Sequence, residues 1–402
     1  MINPPGPVRI LFLNQYYWPD EAATAQLLFD LVEAAAGQGH EVVVVASDRS
    51  YASGTTRYPR REERGSVRIR RVAATAFGRG SRLGRVVDYV TYLGGALVAC
   101  LAGPRPAVVV GLSTPPILGA LAVVVAKLRG AKSCYWAMDV YPDVAFALGA
   151  LREGSLAGRL FGALSRWTLR KADLVVALGE TMARHLERGG ARRVVTVHNW
   201  SDEASVVPTP PSSAETHPLQ VLYSGNLGLA HEFETVLEAA SRTAGAARFV
   251  FVGGGPRRAE VESAVRSRGL GNVEFRGAVP RQDLGASLAS APLHLVTLQP
   301  GMPGLLVPSK LYGILAAGRA VLYVGPAEGE THDLIAETGC GFSVRNGDVD
   351  GVVRLVERLR ADPSTLASAG AVARRVFEER FTKAGQTAAF LGILRSLASS
   401  GE

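Results

Sequence analysis

The feature that most constrains this chain is a repeated alternation. Short apolar runs of strand length are each followed by a longer stretch with helical spacing. The run Val8–Asn14 is a buried strand that ends in polar residues. After it, Leu27, Leu28, Leu31, Val32 and Ala35 fall on one helical face, and Gly37 and Gly39 supply stop signals. Glu41–Ala46 is the next strand, and Ala107–Gly111, Ser133–Trp136, Leu174–Ala177 and Val194–Val197 continue the series. Such alternation forces a parallel sheet, because parallel neighbours need a crossover between them.

The pattern then breaks. Residues 204–217 are rich in Pro, Ser and Thr and read as a linker. A second series follows, with strands at Gln220–Tyr223, Arg248–Val252, Val273–Phe275, Leu293–Thr297 and Ala320–Val324. A chain of 402 residues is too long for one core and suits two. The expected fold is therefore α/β, with two Rossmann-like doubly wound domains facing a central cleft. Domain bounds are set at 1–203 and 218–375, with a C-terminal helix at 376–402 that returns to the N-terminal domain. In open α/β sheets, ligands bind beyond the carboxyl ends of the strands.

Charge is uneven. Residues 1–200 carry 25 Lys and Arg against 15 Asp and Glu, while residues 201–402 carry 19 against 21. Many of the excess cations form one run, Arg57, Arg60, Arg61, Arg64, Arg68, Arg70, Arg71, Arg79, Arg82 and Arg85, just before the apolar stretch Tyr89–Ala102. Together they are expected to meet an anionic membrane surface. A nucleic-acid partner is not expected, because no aromatic platforms interleave with the run. Cys100, Cys134 and Cys340 sit far apart among apolar neighbours and read as buried free thiols. No signal peptide or spanning segment is evident, so a cytoplasmic protein is expected, peripheral at the inner face of the membrane.

Several segments carry chemistry. The loop after the first strand leads into a helix entered by Ala22, Ala23, Thr24 and Ala25, small enough to let backbone amides approach an anion. A plain helix start capped by Thr24 is the alternative. Asp139 follows the Ser133–Trp136 strand, where a carboxylate can orient an acceptor hydroxyl or take its proton; a turn residue before Pro142 is equally compatible. Gly225, Asn226, Gly228 and His231 follow the first strand of the second domain, and Gly253 and Gly254 follow the next. Lys310 stands after Pro308-Ser309 in the first turn of a helix, the end that disfavours cations unless an anion also sits there. It is the only Lys between Lys171 and Lys383. Asp348-Val-Asp350 has the spacing of a metal-binding pair but follows Asn346-Gly347, and turn and cap duty is the stronger reading.

In this order and spacing, six stretches resemble glycosyltransferase family 4, the retaining GT-B enzymes, and within it the bacterial colanic-acid and exopolysaccharide branch. They are NQYYWPDEAATAQLL from Asn14, GLSTPPILG from Gly111, YWAMDVYPD from Tyr135, LYSGNLGLAHEFET from Leu222, FVGGGPRRAE from Phe251 and VPSKLYGILAAGRAVL from Val307. The resemblance implies a nucleotide-sugar donor, a UDP-sugar, held mainly by the C-terminal domain. It implies a polyprenyl-diphosphate-linked glycan acceptor on the N-terminal side, retention of anomeric configuration, and no metal or other cofactor. Two family patterns are missing. Many members carry Arg and Lys where Asn226 and His231 stand, and a Glu pair where Leu305 and Gly313 stand. Ser309 and Lys310 are expected to replace the diphosphate clamp, and Glu328 or Glu330 the ribose carboxylate. Two rival functions remain at this stage: a UDP-sugar epimerase of the same fold, and a non-catalytic sugar-nucleotide-binding partner.

Overall fold

The computed structural model describes residues 6–51, 56–75, 77, 82–208 and 218–400. The chain forms two compact units. The first runs to His198 and takes in Gly304–Leu306 and the chain from Ala384 onward; the second comprises Asn199–Pro303 and Val307–Lys383. Of the linker read at 204–217, residues 209–217 lie outside the described residues.

The first unit holds β1 (Arg9–Leu13), β2 (Glu41–Ser47), β3 (Arg61–Arg64), β4 (Val67–Val72), β5 (Val108–Gly111), β6 (Lys132–Trp136), β7 (Leu174–Ala177) and β8 (Val194–Thr196). They form one sheet in the order β3-β4-β2-β1-β5-β6-β7-β8. All neighbours are parallel except β3 and β4, which form an antiparallel pair at the edge. The order reverses between β1 and β5. On one face, Leu11, Leu13, Val43, Val45 and Val109 pack under Tyr92 and Ala96 of the helix Arg82–Leu101 and under Leu118, Ala122 and Val125 of the helix Leu118–Arg129. The last helix, Lys383–Ser399, sets Phe390 edge-on against Trp136, with ring centroids 4.8 Å apart.

The second unit holds β9 (Leu219–Ser224), β10 (Ala247–Val252), β11 (Val273–Arg276), β12 (Leu293–Thr297), β13 (Ala320–Val324) and β14 (Gly341–Val344). All are parallel, in the order β11-β10-β9-β12-β13-β14. The order reverses between β9 and β12. Alternation along β9 feeds two cores: Leu219, Val221 and Tyr223 enter one, and Leu222 joins Val250, Val252 and Ala291 in the other. Burial on both faces is why β12 and β13 read as unbroken apolar runs with only His294 and Thr297 as polar entries. No helix among the described residues is long and apolar enough to cross a membrane.

The arginine run differs from its expected role as a free basic face. Arg68, Arg70 and Arg71 lie on β4, whose residues alternate between core and exterior. Arg71 is buried: its guanidinium donates to Glu62 Oε2 at 2.6 Å and to the Trp18 carbonyl at 2.7 Å. Arg70 donates to the carbonyls of Ala99 and Ala102, Arg68 pairs with Glu41, Arg64 with Glu33 and Arg57 with Asp48. Arg60 and Arg61 are exposed. Arg79 and the side chains of Arg82 and Arg85 lie outside the described residues. A strand of alternating Arg and apolar residues spends its cations on its neighbours' carbonyls and carboxylates, which a charge count along the chain does not reveal.

Candidate active site

In the second unit, the carboxyl ends of β9, β10 and β12 surround the point where strand order reverses. Lys310 opens the helix Lys310–Ala316 and reaches back over them. Its Nζ lies 3.7 Å above the centre of the Tyr223 ring at the end of β9. It also lies 3.4 Å from His231 Nε2. The other ring nitrogen, His231 Nδ1, is 2.6 Å from the carbonyl oxygen of Thr297, the last residue of β12. A carbonyl only accepts, so Nδ1 carries the hydrogen and Nε2 presents its lone pair to Lys310. Burial, reinforced by the charges of Lys310 and Arg257, lowers the His231 pKa to about 3. The imidazole is therefore neutral at physiological pH.

Burial also holds the Lys310 ammonium well below the usual lysine range. Among the described residues no carboxylate pairs with it; its near neighbours are a phenol ring and a neutral imidazole. The face of a phenol attracts a cation but does not neutralise it. Such a group favours an anion that enters from outside.

The backbone around it is shaped for close approach. Gly225 has φ of +137°, and a Cβ there would sit 3.4 Å from Lys310 Cε. Gly253 follows β10 with φ of +126°, and a Cβ there would overlap the Gly225 carbonyl oxygen. The two loops stack backbone to backbone, and the Leu227 amide donates to the Gly254 carbonyl at 2.7 Å. Arg257 braces the same loop through the His231 carbonyl while its other nitrogens engage Glu260.

Gly225, His231 and Lys310 are thus brought together, with Gly253 and Gly254 in the adjoining turn. Asn226 is exposed, and its carbonyl accepts the Tyr223 hydroxyl at 2.7 Å. Ser309 is exposed at the cap position of the Lys310 helix and makes no side-chain cap bond. Glu330 begins the helix Glu330–Thr338 after β13, one strand further along the sheet; burial raises the Tyr312 and Tyr323 phenols, and the Glu330 charge adds to it. Glu328 is exposed. Asp348 accepts the Gly351 amide at 2.8 Å as cap of the helix Val349–Ala361, and Asp350 pairs with Arg242.

In the first unit, Asp139 lies three residues beyond β6. Its amide donates to Ser113 Oγ at 3.2 Å, just past β5, and the next amide, Val140, donates to the Leu305 carbonyl. Burial raises the Asp139 carboxyl to about 6. Ala23 and Thr24 form the first turn of the helix Ala23–Gly37, which begins from Ala22 without a side-chain cap. Thr24 is therefore not the cap. Its hydroxyl instead stands 3.5 Å from Asn14 Nδ2, at the end of β1.

Tyr223, Thr297 and Ser113 contribute to these sites without having been singled out in the sequence. Tyr223 and Thr297 each fill a strand's last positions and pass there for core. A signal was available: each is a polar-tipped residue at a carboxyl end next to the order reversal.

Comparison with known proteins accounts for both units. The Glycosyl transferase 4-like domain family matches residues 24–200, and the Glycosyl transferases group 1 family matches residues 218–362. The chain belongs to glycosyltransferase family 4. This family 4 glycosyltransferase is 28% identical over 288 residues to the probable glycosyltransferase WbjE of Pseudomonas aeruginosa, covering 68% of this chain and 72% of WbjE. It is 28% identical over 361 residues to the putative colanic acid biosynthesis glycosyl transferase WcaI of Escherichia coli K12, covering 84% and 88%. The fold matches that of Anabaena HepE solved with UDP-glucose, with a TM-score of 0.72 at 16% identity, over 97% of this chain and all of that one. The enzyme's fold is GT-B, two parallel-sheet α/β domains, as its two strand orders describe.

Proposed function

We propose that this glycosyltransferase moves a sugar, with retention, from a UDP-sugar to a lipid-linked glycan in the synthesis of a cell-envelope or exported polysaccharide. The observation that carries the donor half is the Lys310 ammonium, held without a carboxylate partner among the described residues, beside a neutral imidazole at the carboxyl ends of β9 and β12. As the bond from anomeric carbon to phosphate oxygen breaks, negative charge builds on the diphosphate. A cation fixed there stabilises that charge more in the transition state than in the ground state. His231 keeps its proton on the far nitrogen and so adds no competing donor to the Lys310 side. The UDP-glucose in the HepE structure and the colanic-acid role in WcaI's name support the donor class and the pathway class.

On the acceptor side, Asp139 accepts the hydrogen bond of the incoming hydroxyl and orients it. Its pKa of about 6 leaves it largely ionised at neutral pH and basic enough to draw on that proton. UDP release is the test, measured with a panel of UDP-sugars and polyprenyl-diphosphate saccharides. Turnover with at least one pair, lost in Lys310→Ala and Asp139→Asn, supports the reading. UDP binding without turnover on any pair, or sugar epimerisation without acceptor, contradicts it.

A further inference from the structure

One face of the first unit is unlike the rest of its surface. The helices Arg82–Leu101 and Leu118–Arg129 cover one side of the sheet, and Leu156–Lys171 packs beside the second of them. Residues exposed on their outer side therefore look the same way. Val90, Val98, Leu128, Leu156 and Leu160 there are between 62% and 75% exposed, and Trp167 is 37% exposed. Single exposed apolar residues are unremarkable, but a set of them on three successive helices marks an interaction surface.

The third helix is the most telling. Leu156, Leu160, Ala163 and Trp167, at i, i+4, i+7 and i+11, make one exposed ridge. Arg159, Arg166 and Arg170 are also exposed and run beside it. This helix has no acid, and the three helices together carry eight Arg or Lys against one acid, Asp88. That acid accepts hydrogen bonds from the Thr75 hydroxyl and the Phe77 amide.

We infer that this three-helix face docks the enzyme on an anionic lipid surface. Leucine and tryptophan enter the headgroup boundary while the arginine row stays with the lipid phosphates. The charge decides between occupants. A second copy would bring the same cations face to face, whereas an anionic bilayer complements them. The face also adjoins the acceptor loop: Ser165, on the inner side of the third helix, donates to the Tyr141 carbonyl at 2.9 Å, two residues past Asp139. That last connection rests on the lipid-linked acceptor proposed above; the docking itself does not.

Co-sedimentation of the full chain tests the proposal, with vesicles of phosphatidylcholine alone or with about one-third phosphatidylglycerol. The wild type should bind only the anionic vesicles and release with added salt. Arg159→Glu, Arg166→Glu and Arg170→Glu combined should weaken that binding at least about a hundredfold, since each arginine near an anionic surface contributes ~1 kcal/mol. Leu156→Ser with Leu160→Ser should weaken it at least ~10-fold through lost apolar burial. UDP binding, measured on the same preparations, should be unchanged, so loss of vesicle binding and failure of the transferase reading remain separate results. The inference is overturned if the wild type ignores anionic vesicles at low salt or if the arginine variant binds as the wild type does. Sedimentation of a dimer that the same variants dissociate would overturn it in favour of a second copy.

Discussion

A buried lysine with no carboxylate partner among the described residues is a costly choice for the fold. Desolvation disfavours the Lys310 ammonium, and its nearest partners are uncharged. Replacing it by an apolar chain of similar length removes that penalty. Lys310→Met should therefore leave the fold intact and raise its stability by ~1 kcal/mol, read from denaturant midpoints. Asp139 follows the same logic with the opposite charge. Its folded pKa, about 6, lies above the unfolded carboxylate value, so the folded state binds the proton more tightly. Stability tied to this group thus rises as pH falls through 6 and is lost above it. Asp139→Asn should stabilise the protein at pH 8 by on the order of 1–2 kcal/mol, with little effect at pH 4, and should lower transfer to the acceptor sharply. A thermal-melt series across pH, paired with turnover, checks both. Sequence alone identified Lys310, through its place in a first helical turn, and Asp139, through its place after a strand. It left open what faced them. Tyr223 and Thr297 were hidden because a strand's last apolar or β-branched residue has two uses, core and site, with the same spacing.

At the scale of elements, the apolar runs were legible, and three strands rich in charged or small residues were not. β12 and β13 fall where Leu293–Thr297 and Ala320–Val324 were read, since burial on both faces leaves an unambiguous run. β3 and β4 escaped, because REER and VRIRRV look like a charged surface until Arg71 is seen to be buried on Glu62 and a carbonyl. β14 escaped because Gly and Ser break up its apolar residues, GFSV. The Asp348–Asp350 pair was legible as a cap from its flanking Asn346-Gly347, and the Gly351 amide on Asp348 is the bond that cap requires. Asp348→Ala should cost about 1 kcal/mol of stability, the usual price of a lost cap, and leave UDP affinity unchanged. A drop in donor affinity in that variant would instead place the pair at the site.

For the molecule as a whole, the two series of strands and the break between them made a two-domain α/β chain readable, and the six motif stretches made the family readable. The route of the chain was harder, since it depends on long-range contacts. The first unit is completed by the helix from Ala384 onward, whose Phe390 fills a space against Trp136. Both rings are fully buried. Phe390→Ala should cost about 3–5 kcal/mol, as large-to-small changes in a packed core do. Calorimetry should show the loss in the first unit's transition, with UDP affinity of the second unit retained. The basic excess of the N-terminal half was legible as a number, but its location was not: half of the arginine run is engaged by the fold, while Arg159, Arg166 and Arg170 of the helix Leu156–Lys171 are exposed.

The central claim is that Lys310 holds the diphosphate of a sugar nucleotide, and titration calorimetry with UDP and with uridine tests it most directly. The wild type should bind UDP far more tightly than uridine, with an affinity that falls as rising pH removes the ammonium's proton below the ordinary lysine range. Lys310→Ala should weaken UDP by roughly 10- to 100-fold, the worth of a charge-assisted contact, abolish that pH dependence and leave uridine unaffected. Equal loss of UDP and uridine, or no loss of either, would contradict the account.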